Sequence, residues 1–291
     1  MSARFILFGV VAAVATSSAT VGGSVRATSM YPARVAAKGA RAEARKRPPP
    51  YRYMFRSQSG QAAVASHGWN LLDVSSQQSA DGLPARTRGL VWVGGYDGST
   101  CDWEVSDSAL RDTIAAMAGD PKVAGFYLSD EPDPHACPTA PDQHRARSAL
   151  IHGGDPGKLT VMTMDSNSGQ ASLDQVPLWV GAADYVFLDP YPCRWNQPCQ
   201  YSWIDAIIAA ANQAGLSYWG VVQAFADSEW RWPTARELRH MLSQWAGSRQ
   251  SGYGVFAWTW DGGTLAGRPG LLRALAHFNR RGARPLRRRI T

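Results

Sequence analysis

From residue 51 onward, short runs of β-branched and aromatic residues alternate with longer stretches in which apolar side chains recur every three to four positions. The first pattern marks strands buried on both faces, and the second marks helices with one face on a core. The strand runs fall at 51–56, 69–74, 89–94, 123–128, 159–164, 185–188, 218–222 and 254–260, eight in all. Helices are predicted at 106–118, with Ser106 as cap, at 142–151, at 203–214 before Gly215, at 234–246 before Gly247, and at about 270–279. The first two connections read as weaker helices. Eight strands separated by helices within about 230 residues have the size and rhythm of a single (β/α)8 (TIM) barrel, an α/β fold. A doubly wound sheet is the competing architecture, but no Gly-rich phosphate turn, Walker motif or Gly-x-Ser-x-Gly elbow follows any strand.

The ends of the chain have another character. Arg4 precedes an apolar run from Phe5 to Ala15, followed by small residues through Ala19 and again at Ala27, so 1–27 reads as an export signal. The run is short for a membrane span, and an uncleaved anchor is the competing reading. Residues 28–50 form a basic linker ending in three prolines, with no composition for a core, and 280–291 read as a solvated Arg-rich tail. The domain proper is then 51–279.

Charge follows this division. The net charge is +7, yet residues 1–50 hold eight Lys/Arg against one acid and 280–291 hold six Arg, which leaves the middle at 16 basic against 22 acidic residues. A nucleic-acid binder carries its basic stripe on the folded face, so nucleic acid is not expected as a partner. The tails are free to meet anionic polymer or a membrane surface. Cysteine usage agrees with a secreted or cell-envelope (periplasmic or extracellular) location. An even count of four suggests two disulfides: Cys193 with Cys199, closing a short loop, and therefore Cys101 with Cys137. Close Cys-x-x-Cys pairs and strand-borne His-x-His are both missing from the sequence, so no metal and no cofactor is expected.

In a barrel of this kind the chemistry sits where strands end. Those ends carry Arg56, Asp73, Tyr96 and Asp97, then Asp130 and Glu131, Asp165, Asp189 and Tyr191, Gln223, and finally Trp258, Trp260 and Asp261. Carboxylates with tryptophans suit a carbohydrate. Glycosidic cleavage uses one carboxylic acid to protonate the leaving oxygen and a second carboxylate to attack or to activate water, and sugar rings offer apolar faces to aromatic platforms. Trp103, Trp195, Trp230 and Trp232 lie in loops on the same side and are further candidates for substrate contact.

The run Gly125-Phe126-Tyr127-Leu128-Ser129-Asp130-Glu131-Pro132 resembles the fourth-strand signature of clan A (β/α)8 glycoside hydrolases, in which Asn-Glu-Pro carries the acid/base glutamate. The Asp-Pro-Tyr-Pro run from Asp189 and the aromatic stretch 256–260 are similar to strand ends in such enzymes. The resemblance implies Glu131 as general acid acting on a poly- or oligosaccharide. Two departures stand out: Asp130 replaces the asparagine, and Gln223 occupies the position at the end of strand 7 where a nucleophilic glutamate is usual. An amide is no nucleophile, and Glu229 would have to fold back to replace it. Three routes stay open. Asp189 or its rival Asp165 could serve as the base of an inverting reaction, which needs carboxyls roughly 6.5 to 9.5 Å apart. Glu229 could rescue a retaining one, or Asp130 could steady a substrate-assisted one, although strand alternation should turn Asp130 and Glu131 in opposite directions. Asp73, Tyr96, Asp97, Tyr191, Gln223, Trp258, Trp260 and Asp261 are expected to bind substrate. A barrel that binds carbohydrate without cleaving it is the alternative function, and Gln223 favours it.

Overall fold

The computed structural model describes residues 50–280, so the export-signal and linker readings, and the tail beyond Arg280, lie outside the described residues. Eight parallel strands close into a barrel: β1 (Tyr51–Met54), β2 (Leu71–Val74), β3 (Arg88–Trp92), β4 (Val123–Tyr127), β5 (Leu159–Met164), β6 (Tyr185–Leu188), β7 (Tyr218–Gln223) and β8 (Gly252–Phe256). Each strand pairs with its sequence neighbours, and β8 returns to β1 through the register Tyr51 opposite Gly252. A helix follows every strand: α1 (Gln61–Ser66), α2 (Gln77–Asp81), α3 (Asp107–Met117), α4 (Ala140–Gly154), α5 (Gln170–Gln175), α6 (Ser202–Ala214), α7 (Ala235–Ala246) and α8 (Pro269–Arg280). This is the (β/α)8 barrel that the alternation predicts, and the short α1, α2 and α5 are where the helical pattern is faintest.

Strand alternation sorts the apolar residues into two cores. Tyr53, Leu71, Leu90, Val161, Phe187, Trp219 and Val221 fill the barrel, while Met54, Leu72, Val91, Met162, Val186 and Val222 pack outward against the helices. Gly220 shows how close that second layer is: a Cβ there would lie 2.1 Å from the Trp245 ring on α7. Local signals set the helix ends. Ser106 accepts from Ala109 N, Thr234 and Glu237 form a reciprocal capping box, and Gly215 ends α6 at φ +73°.

Strands β1, β3, β4 and β8 stop earlier than the hydrophobic runs suggest, at Met54, Trp92, Tyr127 and Phe256. β1 ends at Met54 and the chain turns at Arg56 (φ +55°), and β8 ends at Phe256, with Trp260 carried instead on a hairpin of Thr259–Trp260 and Gly263–Thr264. Both disulfides form as the spacing predicts, Cys101–Cys137 tying the loops after β3 and β4, and Cys193–Cys199 closing the loop after β6. Two disulfides suit an oxidising compartment. Among the described residues no helix is long and apolar enough to cross a membrane.

Candidate active site

The ends of β4, β5 and β6 bring the acids together. Beyond β4 the chain keeps pairing with β5, Leu128 N donating to Val161 O (2.8 Å), Thr163 N to Ser129 O (3.0 Å) and Glu131 N to Thr163 O (3.0 Å). Glu131 itself is left-handed, at φ +45°. That turn breaks the alternation, and Asp130 and Glu131 both face one cavity rather than opposite sides. The bend is braced from behind. The buried His144 donates through Nδ1 to Ala140 O (2.7 Å), which leaves Nε2 to accept from the Ser129 hydroxyl (2.7 Å). Burial holds the His144 pKa down at about 4, so the ring is neutral.

Asp165 ends β5 in a turn, where Oδ1 accepts from Asn167 N (2.7 Å) and Oδ2 from the Ser168 hydroxyl. That turn in turn fixes β6: Asn167 Nδ2 donates to Asp189 O (3.1 Å), Asn167 Oδ1 accepts from Tyr191 N (2.8 Å), and Asp189 N donates to Ser166 Oγ (3.1 Å). The Asp189 side chain is thereby held at the cavity floor, 3% exposed, within hydrogen-bonding reach of Glu131 and the Tyr191 hydroxyl.

Burial first, then the Glu131 charge, drives the Asp189 carboxyl well above the usual range. Glu131 is raised as well, by crowding first and then by the charges of Asp130 and Asp165, against the pull of its hydrogen bond with Asp189. The Glu131 side chain is exposed because it faces an open cavity, yet the cavity walls displace most of the water around it. Asp189 Oδ1 is buried and accepts no hydrogen bond. A proton on one of the two carboxyls relieves their mutual repulsion, so the two titrate together.

The cavity has a volume of about 610 Å³. Phe55, Tyr191, Phe225, Trp230, Phe256 and Trp260 form its apolar walls. On the far side Glu229 pairs with Arg194, and Asp227 organises the rim: Oδ1 accepts from Glu229 N (2.8 Å) and Trp230 N (3.0 Å), Oδ2 from Trp260 Nε1 (3.2 Å). Arg56 lies over the Trp260 ring, 5.3 Å from its centre.

Of the residues expected from the sequence, Asp130, Glu131, Asp165, Asp189, Tyr191, Trp230 and Trp260 meet here. Asp73 lies in an adjoining chamber, accepting from the Tyr53 hydroxyl, Ser57 N (2.7 Å) and Ser57 Oγ (3.1 Å), with its pKa raised by burial. Asp261 lines a shallow outer pocket beside Trp260. Other expectations are corrected. Gln223 does not reach the cavity: it is fully buried, its Oε1 accepting from Cys193 N (2.9 Å) and its Nε2 donating to Cys193 O (3.0 Å) and Arg231 O (2.9 Å), so it fastens two loops together. Tyr96 donates to Gln143 and Asp97 caps its own turn at Ser99, both on the hairpin after β3 and away from the cavity. Trp258 is 5% exposed and packs against Gly60. Trp103 stacks under Arg147, Trp232 under Arg268, and Trp195 donates to Asp227 O on the outer surface. Asp189 in contact with Glu131 also lacks the separation an inverting base needs.

The sequence reading missed Asp227, Arg194 and Thr163. An Asp followed two and three residues later by backbone donors is a recognisable Asx pattern, and Thr163 faces the cavity because it shares the parity of Val161, which fills the barrel two residues earlier on β5. Cys193, Cys199 and Glu237 are, among the described residues, the one cluster close enough to hold a metal ion. Their chemistry does not fit: both sulfurs are in a disulfide, and Glu237 is forked onto Arg231 at 2.8 and 2.9 Å.

The chain matches no family model and no curated protein. Solved structures share its fold. A fucosidase-like protein of Bacteroides thetaiotaomicron aligns at TM-score 0.52 and 10% identity over 90% of this chain and 99% of its own. An endo-beta-1,3-glucanase of Amycolatopsis mediterranei aligns at TM-score 0.50 and 15% identity over 78% of this chain and 99% of its own. The protein is thus built on the closed barrel used by glycoside hydrolases. An aldolase aligns at TM-score 0.50 and 8% identity, so the barrel alone does not select glycosidic chemistry.

Proposed function

We propose that the protein is a secreted glycoside hydrolase that cleaves a poly- or oligosaccharide with Glu131 as general acid. The observation that carries this reading is the Glu131–Asp189 pair, two carboxyls with raised pKa in one aromatic-walled cavity. A carboxyl that keeps its proton toward neutral pH is what a leaving glycosidic oxygen requires. Asp189 holds that proton beside Glu131 and tunes it. Asp165 then takes the part of the base that holds water, because it lines the same cavity and acts on Glu131 as a charge without bonding to it. Tyr191 orients Asp189, and Trp230 and Trp260 supply sugar platforms. Asp130, turned into the cavity beside Glu131, supports a substrate-assisted route where the sugar carries an N-acyl group.

Incubating the protein with a panel of polysaccharides and scoring reducing ends tests the reading. Glu131→Gln is expected to lower turnover by about a hundredfold or more, as for loss of a general acid. The anomer of the first product separates inversion by Asp165 from retention through Asp130. A second reading, a barrel that binds glycans without cleaving them, draws on Gln223, which leaves the end of β7 without a carboxylate. Saturable binding by both proteins with turnover by neither supports that reading and ends the first.

A further inference from the structure

A second chamber of about 230 Å³ opens beside the main cavity, and the two share Phe55, Arg56, Asp130 and Phe256 as common walls. Its outer wall is Trp92 at the end of β3, 44% exposed in a chain whose other barrel tryptophans are largely covered. The Trp92 ring lies on Tyr127, centres 5.0 Å apart and planes at 33°, and the Tyr127 hydroxyl donates to Asp130 Oδ1 (3.0 Å). An open aromatic face, the stacked tyrosine behind it and the carboxylate at the junction therefore form one connected wall. Below it sits Asp73, already fixed by Tyr53 and Ser57. An apolar plate facing hydroxyl-binding carboxylates is the complement of a sugar ring. The space falls below the roughly 300 Å³ at which pockets for larger ligands begin, and so suits a single ring.

We propose that this chamber is a further sugar subsite, in which Trp92 stacks on a ring of the same glycan that reaches past Asp130 from the cavity holding Glu131. The glycan then runs across the barrel mouth, and the protein acts on positions inside a chain and gains from each ring that the chamber admits. This rests on the glycan reading given under Proposed function.

The test uses Glu131→Gln protein, so that binding is read whether or not the ligand can be cleaved. The probes are β-1,3-, β-1,4- and α-1,4-linked glucose and mannose oligosaccharides from the disaccharide upward, titrated by calorimetry. Affinity is expected to rise with length and to include a step, roughly tenfold, that Trp92→Ala abolishes and Trp92→Phe largely keeps. Ser75→Trp, which fills the chamber from its rim, should remove the same step by exclusion and guards against an unfolded alanine variant. A length profile that is the same in all variants overturns the subsite, even where wild type hydrolyses glycans through Glu131. Oligosaccharide binding with the Trp92 step but no turnover by wild type keeps the subsite and removes the hydrolase reading. No binding of any probe by any variant removes both.

Discussion

Replacing Gln223 with glutamate places the carboxylate usual for this strand end at a position that the structure has committed to another task. Gln223 accepts one hydrogen bond and donates two, all to backbone groups of the loops at Cys193 and Arg231. An ionised glutamate accepts only, and would face two carbonyl oxygens with no water in reach. The side chain must therefore take up a proton. From an ordinary carboxyl value near 4.3 this costs about 4 kcal/mol at pH 7. The neutral acid has a single donor, so one buried carbonyl stays unpaired at a further cost of about 1–3 kcal/mol. The total, roughly 5–7 kcal/mol, is a large share of the stability of an ordinary domain. Urea denaturation at neutral and acid pH measures it, with the midpoints read at unchanged m value. The sign with pH is fixed. The folded pKa of the new carboxyl is raised above its unfolded value, so its deficit is least below about pH 4 and grows as pH rises toward the folded pKa. The Gln223→Glu protein should thus recover to within about 1–3 kcal/mol of wild type in acid. A variant within about 1 kcal/mol of wild type at pH 7, or a gap that widens on acidification, would falsify the clasp assigned to Gln223. A gain of hydrolytic turnover would equally place position 223 in the cavity.

Other outcomes follow from the same contacts. Asp189 is raised well above its unfolded value, so its ionisation opposes folding once pH exceeds the ordinary carboxylate range. Asp189→Asn should melt higher than wild type at pH 7 to 8 and match it near pH 3, while the alkaline limb of hydrolysis moves to lower pH because the shared proton is lost; an unchanged limb refutes the pair. The two disulfides close loops of 36 and 6 residues. Their paired serine variants should lose about 4 and about 2 kcal/mol respectively, read from melts, and a larger loss at Cys193 and Cys199 would show that loop entropy is not the leading contribution.

All eight strands were legible because each carries its own record: residues of one parity fill the barrel and those of the other meet the helices, as Leu71 and Leu72 do. Helix ends were legible where a cap is local, as at Ser106 and Thr234. Side-chain direction beyond the strands was not. A left-handed residue at Glu131 resets the alternation, and nothing in Ser-Asp-Glu-Pro demands that conformation. Position at a strand end also says little about partners distant in sequence. Gln223 is claimed by Cys193, thirty residues earlier, and Tyr96 by Gln143 on α4. Trp258 and Trp260 are two residues apart, yet the turn after β8 sends one into the core and leaves the other on the cavity wall. The acids were found because several converge from neighbouring strands, whereas single aromatic residues had no such check.

Asp227 has a mechanical consequence. Besides the three bonds its carboxylate accepts, its N–H donates to Trp230 O (2.9 Å) and its carbonyl accepts from Trp195 Nε1 (2.8 Å). One residue thus couples the loops after β6, β7 and β8, and the disulfide at Cys193 and the Gln223 clasp stiffen the same side. This half of the mouth opens as a single cooperative unit or stays shut, and its amides should exchange hydrogen together and slowly. The half formed by Arg56, Asp130 and Trp92 joins it through Arg56, whose guanidinium lies 5.3 Å over the Trp260 ring and whose carbonyl accepts from the Thr259 hydroxyl (3.2 Å), so a movement of either half is felt by the other at Arg56.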